Sequence, residues 1–173
     1  IPDQPVRYSW TPHLNHRLSP ETAVTMPLWF DHYLKGGPAL PETPASELAF
    51  NGDPVLKVTP AKHDWPVARC EIYYSIDPDP RARFWRSAEV VREGDDFVAN
   101  LPLHSTGFPL FAFANVYHTL PKPESMAAIP GTGGTIDEVC LSSLLHTVAS
   151  DELAKAKITP SVSPGSLVDD FAH

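Results

Sequence analysis

The chain has 173 residues, 42% of them hydrophobic and 20% charged, a balance that buries one ordinary core and excludes global disorder. Its net charge of −8, with no basic run, repels phosphate backbones and anionic bilayers. No apolar stretch approaches the ~20 residues of a spanning helix, so neither nucleic acid nor membrane is expected as a partner. Twenty prolines block helix interiors and central strands, which points to a turn-rich, mainly β chain.

The first region, residues 1–37, opens with a strand signal: Val6, Tyr8 and Trp10 alternate with Arg7 and Ser9. A polar loop, Thr11-Pro12-His13-Leu14-Asn15-His16-Arg17, follows. Beyond it, Met26, Trp29, Phe30, Tyr33 and Leu34 recur at i, i+3, i+4, i+7 and i+8, while Asp31 and Lys35 face away, which predicts an amphipathic helix. Thr25 suits its cap, Pro27 its first turn and Gly36-Gly37 its end. That apolar face needs a partner surface, and the preceding residues are too few to supply one. Met26, Trp29, Phe30 and Tyr33 are therefore expected to be under-buried within this chain.

Residues 38–45 read as a stiff, proline-rich linker. Residues 46–120 then offer short strand candidates: Glu47–Phe50, Pro54–Thr59, Val67–Ser75, Trp85–Val91, Phe97–Leu101 and Leu110–His118. Turn signals such as Asn51-Gly52-Asp53-Pro54 and Glu93-Gly94-Asp95-Asp96 separate them. Short strands at such intervals predict an immunoglobulin- or fibronectin-like β-sandwich. In the third candidate the set Ala68, Cys70, Ile72, Tyr74 and Ile76 is apolar, so Cys70 and Ile72 should face the core. Trp85 is expected as a core anchor.

A second linker, residues 121–135, precedes Ile136–Val148, which fits strand or helix, and a short helix over Asp151–Lys157 capped by Ser150. Leu167–Phe171 looks like an opening strand, so residues 136–173 are expected to begin a further, truncated unit. Cys70 and Cys140 are compatible with one disulfide or with two buried thiols. With no initiator Met and no leader pattern, the chain reads as an excerpt of a larger protein.

Two histidines in one loop, His13 and His16, sit between a strand and a helix, where a catalytic base can be held rigidly yet stay reachable. The ordinary alternative is a polar surface loop. The stretch Trp10-Thr11-Pro12-His13-Leu14-Asn15-His16, followed by Leu28-Trp29-Phe30-Asp31-His32-Tyr33-Leu34-Lys35-Gly36, resembles the end of certain exported α/β-hydrolases. These are the acetylxylan-esterase, dienelactone-hydrolase and PhoPQ-activated-protein-like group. The runs Tyr73–Arg86 and Phe111–Tyr117 are similar to a β-sandwich that several of these proteins carry behind the hydrolase. The resemblance covers residues 1–120 and implies that residues 1–37 are the terminal strand, loop and helix of an α/β-hydrolase. It further implies His16 as the triad base, with His13 as second choice because it stands where the family has Asn. An extracellular or periplasmic location comes with it.

No Gly-x-Ser-x-Gly elbow occurs in the sequence, and Asp3 is too close to the start to assign as an acid. A lone imidazole cannot activate a serine outside the chain, so this chain by itself is expected to be inactive. Zinc at His13 and His16, even joined by His32, falls short of four ligands with neither cysteine close in sequence, and Asp77, Asp79, Asp95 and Asp96 suit turns better than calcium. Gly131–Thr135 lacks the Lys of a phosphate loop. Neither metal nor cofactor is expected. Trp65, Tyr73, Trp85 and Tyr117 suggest a sugar-stacking platform or ordinary core aromatics, with Trp65 the one expected to be exposed and to touch substrate. Two functions follow: a C-terminal fragment of a serine hydrolase acting on ester or related acyl bonds, or a non-catalytic binding or spacer module, carbohydrate binding included.

Overall fold

Alternation of buried and more exposed side chains along Asp53–Thr59, Val67–Ser75 and Asp96–Asn100 turns one face of each strand inward, and the strands assemble into two antiparallel sheets. The computed structural model describes residues 5–14, 18–81, 83–126 and 133–162. In the first sheet, β1 (Ala45–Asn51) and β2 (Asp53–Thr59) form a hairpin whose turn rests on Gly52 at φ 87°, a value that disfavours any side chain. Next to β2 lies β6 (Asp96–Asn100), and β5 (Val91–Glu93) closes that edge, giving the order β1-β2-β6-β5. The second sheet runs β4-β3-β7-β8, from β4 (Arg86–Ser87), β3 (Val67–Ser75), β7 (Leu110–Ser125) and β8 (Thr135–Ser142). A last short strand, β9 (His146–Val148), pairs with the first residues of β7.

The sheets meet face to face. Leu56 and Val58 of β2 and Phe97 and Ala99 of β6 pack against Cys70, Ile72 and Tyr74 of β3 and Leu110, Ala112, Ala114 and Val116 of β7. Cys70 and Ile72 thus face the core as their alternation predicts. Leu153 of α3 (Ser150–Lys155) and Ile158 close one end of this core.

A second, smaller core lies beyond the first sheet's cover. Val139, Leu141, Leu120 and Met126 are roofed by Ala23 and Val24, Leu40 and Trp65. The roof comes from α1 (Pro20–Ala23), capped by Ser19 with Pro20 at its first position, and from α2 (Thr25–Lys35). The amides of Gly36, at φ 69°, and Gly37 return to the carbonyls of His32 and Asp31 and end α2 at the predicted place.

Several expectations change. Thr25 does not cap a helix, because the chain is already helical before it and Ser19 does the capping. Ser150 is the first residue of α3, and Glu152 reaches back to the Ala149 amide instead (2.9 Å). The predicted strand over Trp85–Val91 is broken in two: β4 pairs with β3 and β5 with β6, so the chain crosses between sheets there. The expected boundary at residue 120 falls inside β7, which absorbs Pro121 and Pro123 through a register shift between Thr119 and Glu124. Residues 136–142 and 146–148, placed above in a further unit, pair with β7 because its edge supplies the ladder partners they need. Leu167–Phe171, Asp3, Gly131 and Thr132 lie outside the described residues.

Cys70 and Cys140 are both free and buried. Cys70 is in register with Val116, which faces Leu141, whereas Cys140 faces Tyr117. The thiols therefore point to opposite sides of one sheet with a strand between them, a placement no disulfide spans.

Candidate functional site

The alternation that turns Cys70, Ile72 and Tyr74 inward turns Arg69, Glu71 and Tyr73 outward. Register then sets Tyr117 beside Arg69, Asn115 beside Glu71 and Phe113 beside Tyr73, with Cys140 and Ser142 on the far side of β7. The outer face of the five-stranded sheet is thus both charged and aromatic. Glu71 is its centre. Its carboxylate accepts from the hydroxyls of Tyr73 and Tyr117 (2.8 Å each) and from Arg69 Nε (3.2 Å). Arg69 also pairs with Glu138 of β8, and its guanidinium carbon sits 3.5 Å from the centroid of the Tyr117 ring. Burial above all, and then for Tyr73 its hydrogen bond to Glu71, raises the Tyr73 phenol well above the ordinary range. Tyr117 is raised too, by burial first and by Cys140 and Glu71 after it. Both phenols are therefore donors near neutral pH and not bases or nucleophiles.

Further along the same face the groups are apolar. Tyr73 stacks on Phe113 (5.5 Å, 24°), the Trp85 ring meets Phe113 edge-on at 4.8 Å, and the Arg83 guanidinium lies 3.5 Å over Phe111. The N-terminal segment is laid across the edge of this surface. Ser142 N–H donates to Tyr8 O, Trp10 N–H donates to Ser142 Oγ, and Asn115 Nδ2 donates to Trp10 O (2.8, 2.8 and 3.1 Å). Trp10, Pro12, Trp85, Phe113 and Leu145 then line a cleft of about 210 Å³.

His13 is exposed on this side, in a left-handed backbone conformation (φ 64°) that Asn adopts more readily than His. Its ring is 5.5 Å from Phe84 and 6.2 Å from Tyr73. Its neighbours are aromatic, and no carboxylate hydrogen-bonds it among the described residues. Ser142, the hydroxyl at the heart of the segment's anchoring, donates to Asn115 Oδ1 (2.6 Å) and not to an imidazole. The arrangement is suited to stacking and hydrogen bonding.

His16 lies outside the described residues. His32 is committed elsewhere, with Nδ1 2.8 Å from Gly37 O at the helix end. Among the described residues no group of three or more His, Cys, Asp or Glu is placed to hold a metal ion. Asp77 and Asp79 accept the amides two residues ahead, Asp79 N–H and Arg81 N–H, each at 3.0 Å, as turn residues do.

Trp65 is not the exposed aromatic its turn-like setting suggests. It is 7% exposed, in the second core. Its amide donates to His63 Nδ1 and its carbonyl accepts from His118 Nδ1 (3.1 Å each), which folds the loop over the sheet's uncovered end. Trp85 also moves. Arg86 pairs with the inward-facing Tyr74, so the residue before it is thrown to the outer side, where Trp85 is half-buried. Tyr73 and Tyr117 do lie together. Arg69 and Glu71 are legible in the outward set of β3, whereas Glu138 joins them only through the pairing of β8 with β7.

No family model, no curated protein and no solved structure matches the chain.

Proposed function

We propose that this chain is the C-terminal part of a serine hydrolase acting on ester or related acyl bonds, with an immunoglobulin-like sandwich as accessory. The observation that carries the reading is the bare apolar face of α2. Met26 (56%), Phe30 (52%), Tyr33 (48%) and Leu34 (75%) are all exposed. Met26 and Phe30 continue with Val6 and Leu18 into one groove of about 440 Å³. Contiguous apolar surface of this kind belongs against another surface. A helix with such a face, directly after a loop bearing His13 and His16, follows the order in which α/β-hydrolases finish, with the triad histidine last. In this reading His16, or else His13, takes the serine proton during attack and returns it to the leaving group. The serine, its elbow and the acid belong to sequence other than these 173 residues, and extracellular or periplasmic placement accompanies the proposal.

Strand order supports the finer fold assignment. Taken in chain order, β1-β2-β6-β5 corresponds to A-B-E-D, and β4-β3-β7-β8 to C′-C-F-G, of an immunoglobulin-type sandwich.

The test uses the full-length polypeptide that contains this region. Labelling by a fluorophosphonate probe and turnover of an aryl acetate are expected, and His16→Ala should lower kcat by about a thousandfold or more without abolishing folding. Absence of labelling, or full turnover in both the His16→Ala and His13→Ala variants, would overturn the proposal.

A second reading rests on the outer face itself. Trp10, Trp85, Phe113 and Tyr73 beside the Arg69–Glu71–Glu138 cluster form a surface able to stack on and hydrogen-bond a polysaccharide chain. Retention of the chain on insoluble polysaccharides, lost in Trp85→Ala, is the expected outcome. No retention on any polymer would remove this reading and leave the first intact.

A further inference from the structure

A different pocket opens where β4 leaves the second sheet. It measures about 380 Å³ and is lined by Ile76, Asp77, Phe84, Arg86, His104 and Phe108 among others. That volume suits one ring-bearing small molecule. Two features set it apart from a passive surface dent. Phe84 and Phe108 are exposed at 62% and 49% although both are large and apolar, and Phe84 meets only the His13 ring and the Arg86 guanidinium among the ring contacts of the described residues. Arg86 also has no carboxylate within ion-pair distance among the described residues, although Arg7, Arg69 and Arg81 each have one. The Arg86 guanidinium carbon is 5.8 Å from the centroid of the Phe84 ring, so cation and ring present themselves together.

We propose that this pocket binds a small aromatic monocarboxylate, its ring between Phe84 and Phe108 and its carboxylate on Arg86. A guanidinium offers a planar fork matched to a carboxylate, and the pair strengthens where apolar walls exclude water. The pocket's own acid, Asp77, does not serve Arg86: its Oδ1 accepts the Asp79 amide at 3.0 Å. Its charge nevertheless limits the ligand to a single negative charge. Burial, and after it the nearby Arg86, lowers the pKa of His104, so this imidazole is neutral at pH 7 and available as a hydrogen-bonding partner. None of these lining residues belongs to the loop that carries His13, although the His13 ring lies 5.5 Å from that of Phe84; the proposal places no ligand group on His13, so its test stands apart from the acyl-transfer proposal.

The experiment is an amide-shift titration of the full chain with benzoate and, separately, with benzamide, its neutral counterpart. Benzoate should move the amides of Phe84, Arg86, His104 and Phe108 with millimolar affinity. Benzamide should bind roughly tenfold more weakly, reflecting the lost charge-assisted bond. Arg86→Gln should weaken benzoate by the same factor and leave benzamide unchanged, with Phe108→Ala weakening both. Equal affinity for benzoate and benzamide, shifts confined to other residues, unaltered benzoate binding in Arg86→Gln, or no shift at all each overturns the proposal. A variant that retains the wild-type spectrum away from the pocket shows that folding is not the cause.

Discussion

Arg69 and Tyr117 clasp each other across β3 and β7: the guanidinium carbon lies 3.5 Å from the ring centroid, while the Tyr117 hydroxyl and Arg69 Nε converge on the same Glu71 carboxylate. The arrangement separates what burial contributes from what charge contributes. Tyr117 is 7% exposed, so Tyr117→Phe should cost about 1–2 kcal/mol by removing one donor from a carboxylate, and Tyr117→Ala about 3–5 kcal/mol. The Arg69 side chain is 39% exposed, and Arg69→Ala should cost no more than about 1 kcal/mol. Urea midpoints at constant m-value measure all three, and a larger loss for Arg69→Ala than for Tyr117→Ala would contradict the account.

His118 makes the fold sensitive to mild acid. It is fully buried, Nδ1 donates to Trp65 O at 3.1 Å, Nε2 has no hydrogen-bond partner among the described residues, and the His63 ring lies 6.5 Å away. Burial first, with a smaller contribution from His63, lowers its pKa below the ordinary value, against the hydrogen bond to Trp65; burial also lowers His104 and His146. The native state therefore favours the neutral rings. Stability is complete above the unfolded value of about 6.5 and is lost as pH falls below it, because the unfolded chain takes up protons first. Urea midpoints should drop between about pH 7.5 and about pH 5.5, and His118→Asn, whose amide can keep the bond to Trp65, should reduce the drop. An unchanged midpoint over that range would refute the mechanism.

Trp65 should behave as a core residue and not as a ligand contact. Trp65→Ala opens a cavity beneath Leu40, Leu120 and Met126 and should destabilise the chain by about 3–5 kcal/mol. Polysaccharide retention, if it occurs, should be unaffected while the variant remains folded. Loss of retention without loss of stability would reinstate Trp65 as a contact.

The two thiols should be silent. Burial pushes Cys70 and Cys140 each up to about 12, so almost no thiolate exists at neutral pH. A disulfide-exchange reagent should modify both only on unfolding, and added reductant should leave Tm unchanged. Rapid modification of the folded chain would show that one of these sites opens.

The α2 face should tolerate charge in isolation and reject it in context. Phe30→Glu, at a position already 52% exposed, should shift this chain's stability by less than about 0.5 kcal/mol. In the full-length polypeptide the same substitution should lower Tm and activity together. No effect in either setting would leave the apolar stripe without its proposed partner.

What the sequence determined by itself was local and periodic. The two-residue alternation of Val67–Ser75 placed β3 and its inward face correctly, since a strand's period is set by its own backbone. The stripe of α2, its glycine end and its under-buried face were legible for the same reason: helical spacing needs no knowledge of the partner, and Met26, Phe30 and Tyr33 are indeed exposed, whereas Trp29 packs partly against the second core. Tertiary structure decided everything that depends on pairing across distance. Residues 136–142 and 146–148 became strands only because β7 presented an open edge, and Trp65 went inside only because its loop closes over an end that the first sheet leaves bare. The outer cluster needed both kinds of information, since alternation turned Arg69 and Glu71 outward but only the β3-β7-β8 register brought Tyr117 and Glu138 to them.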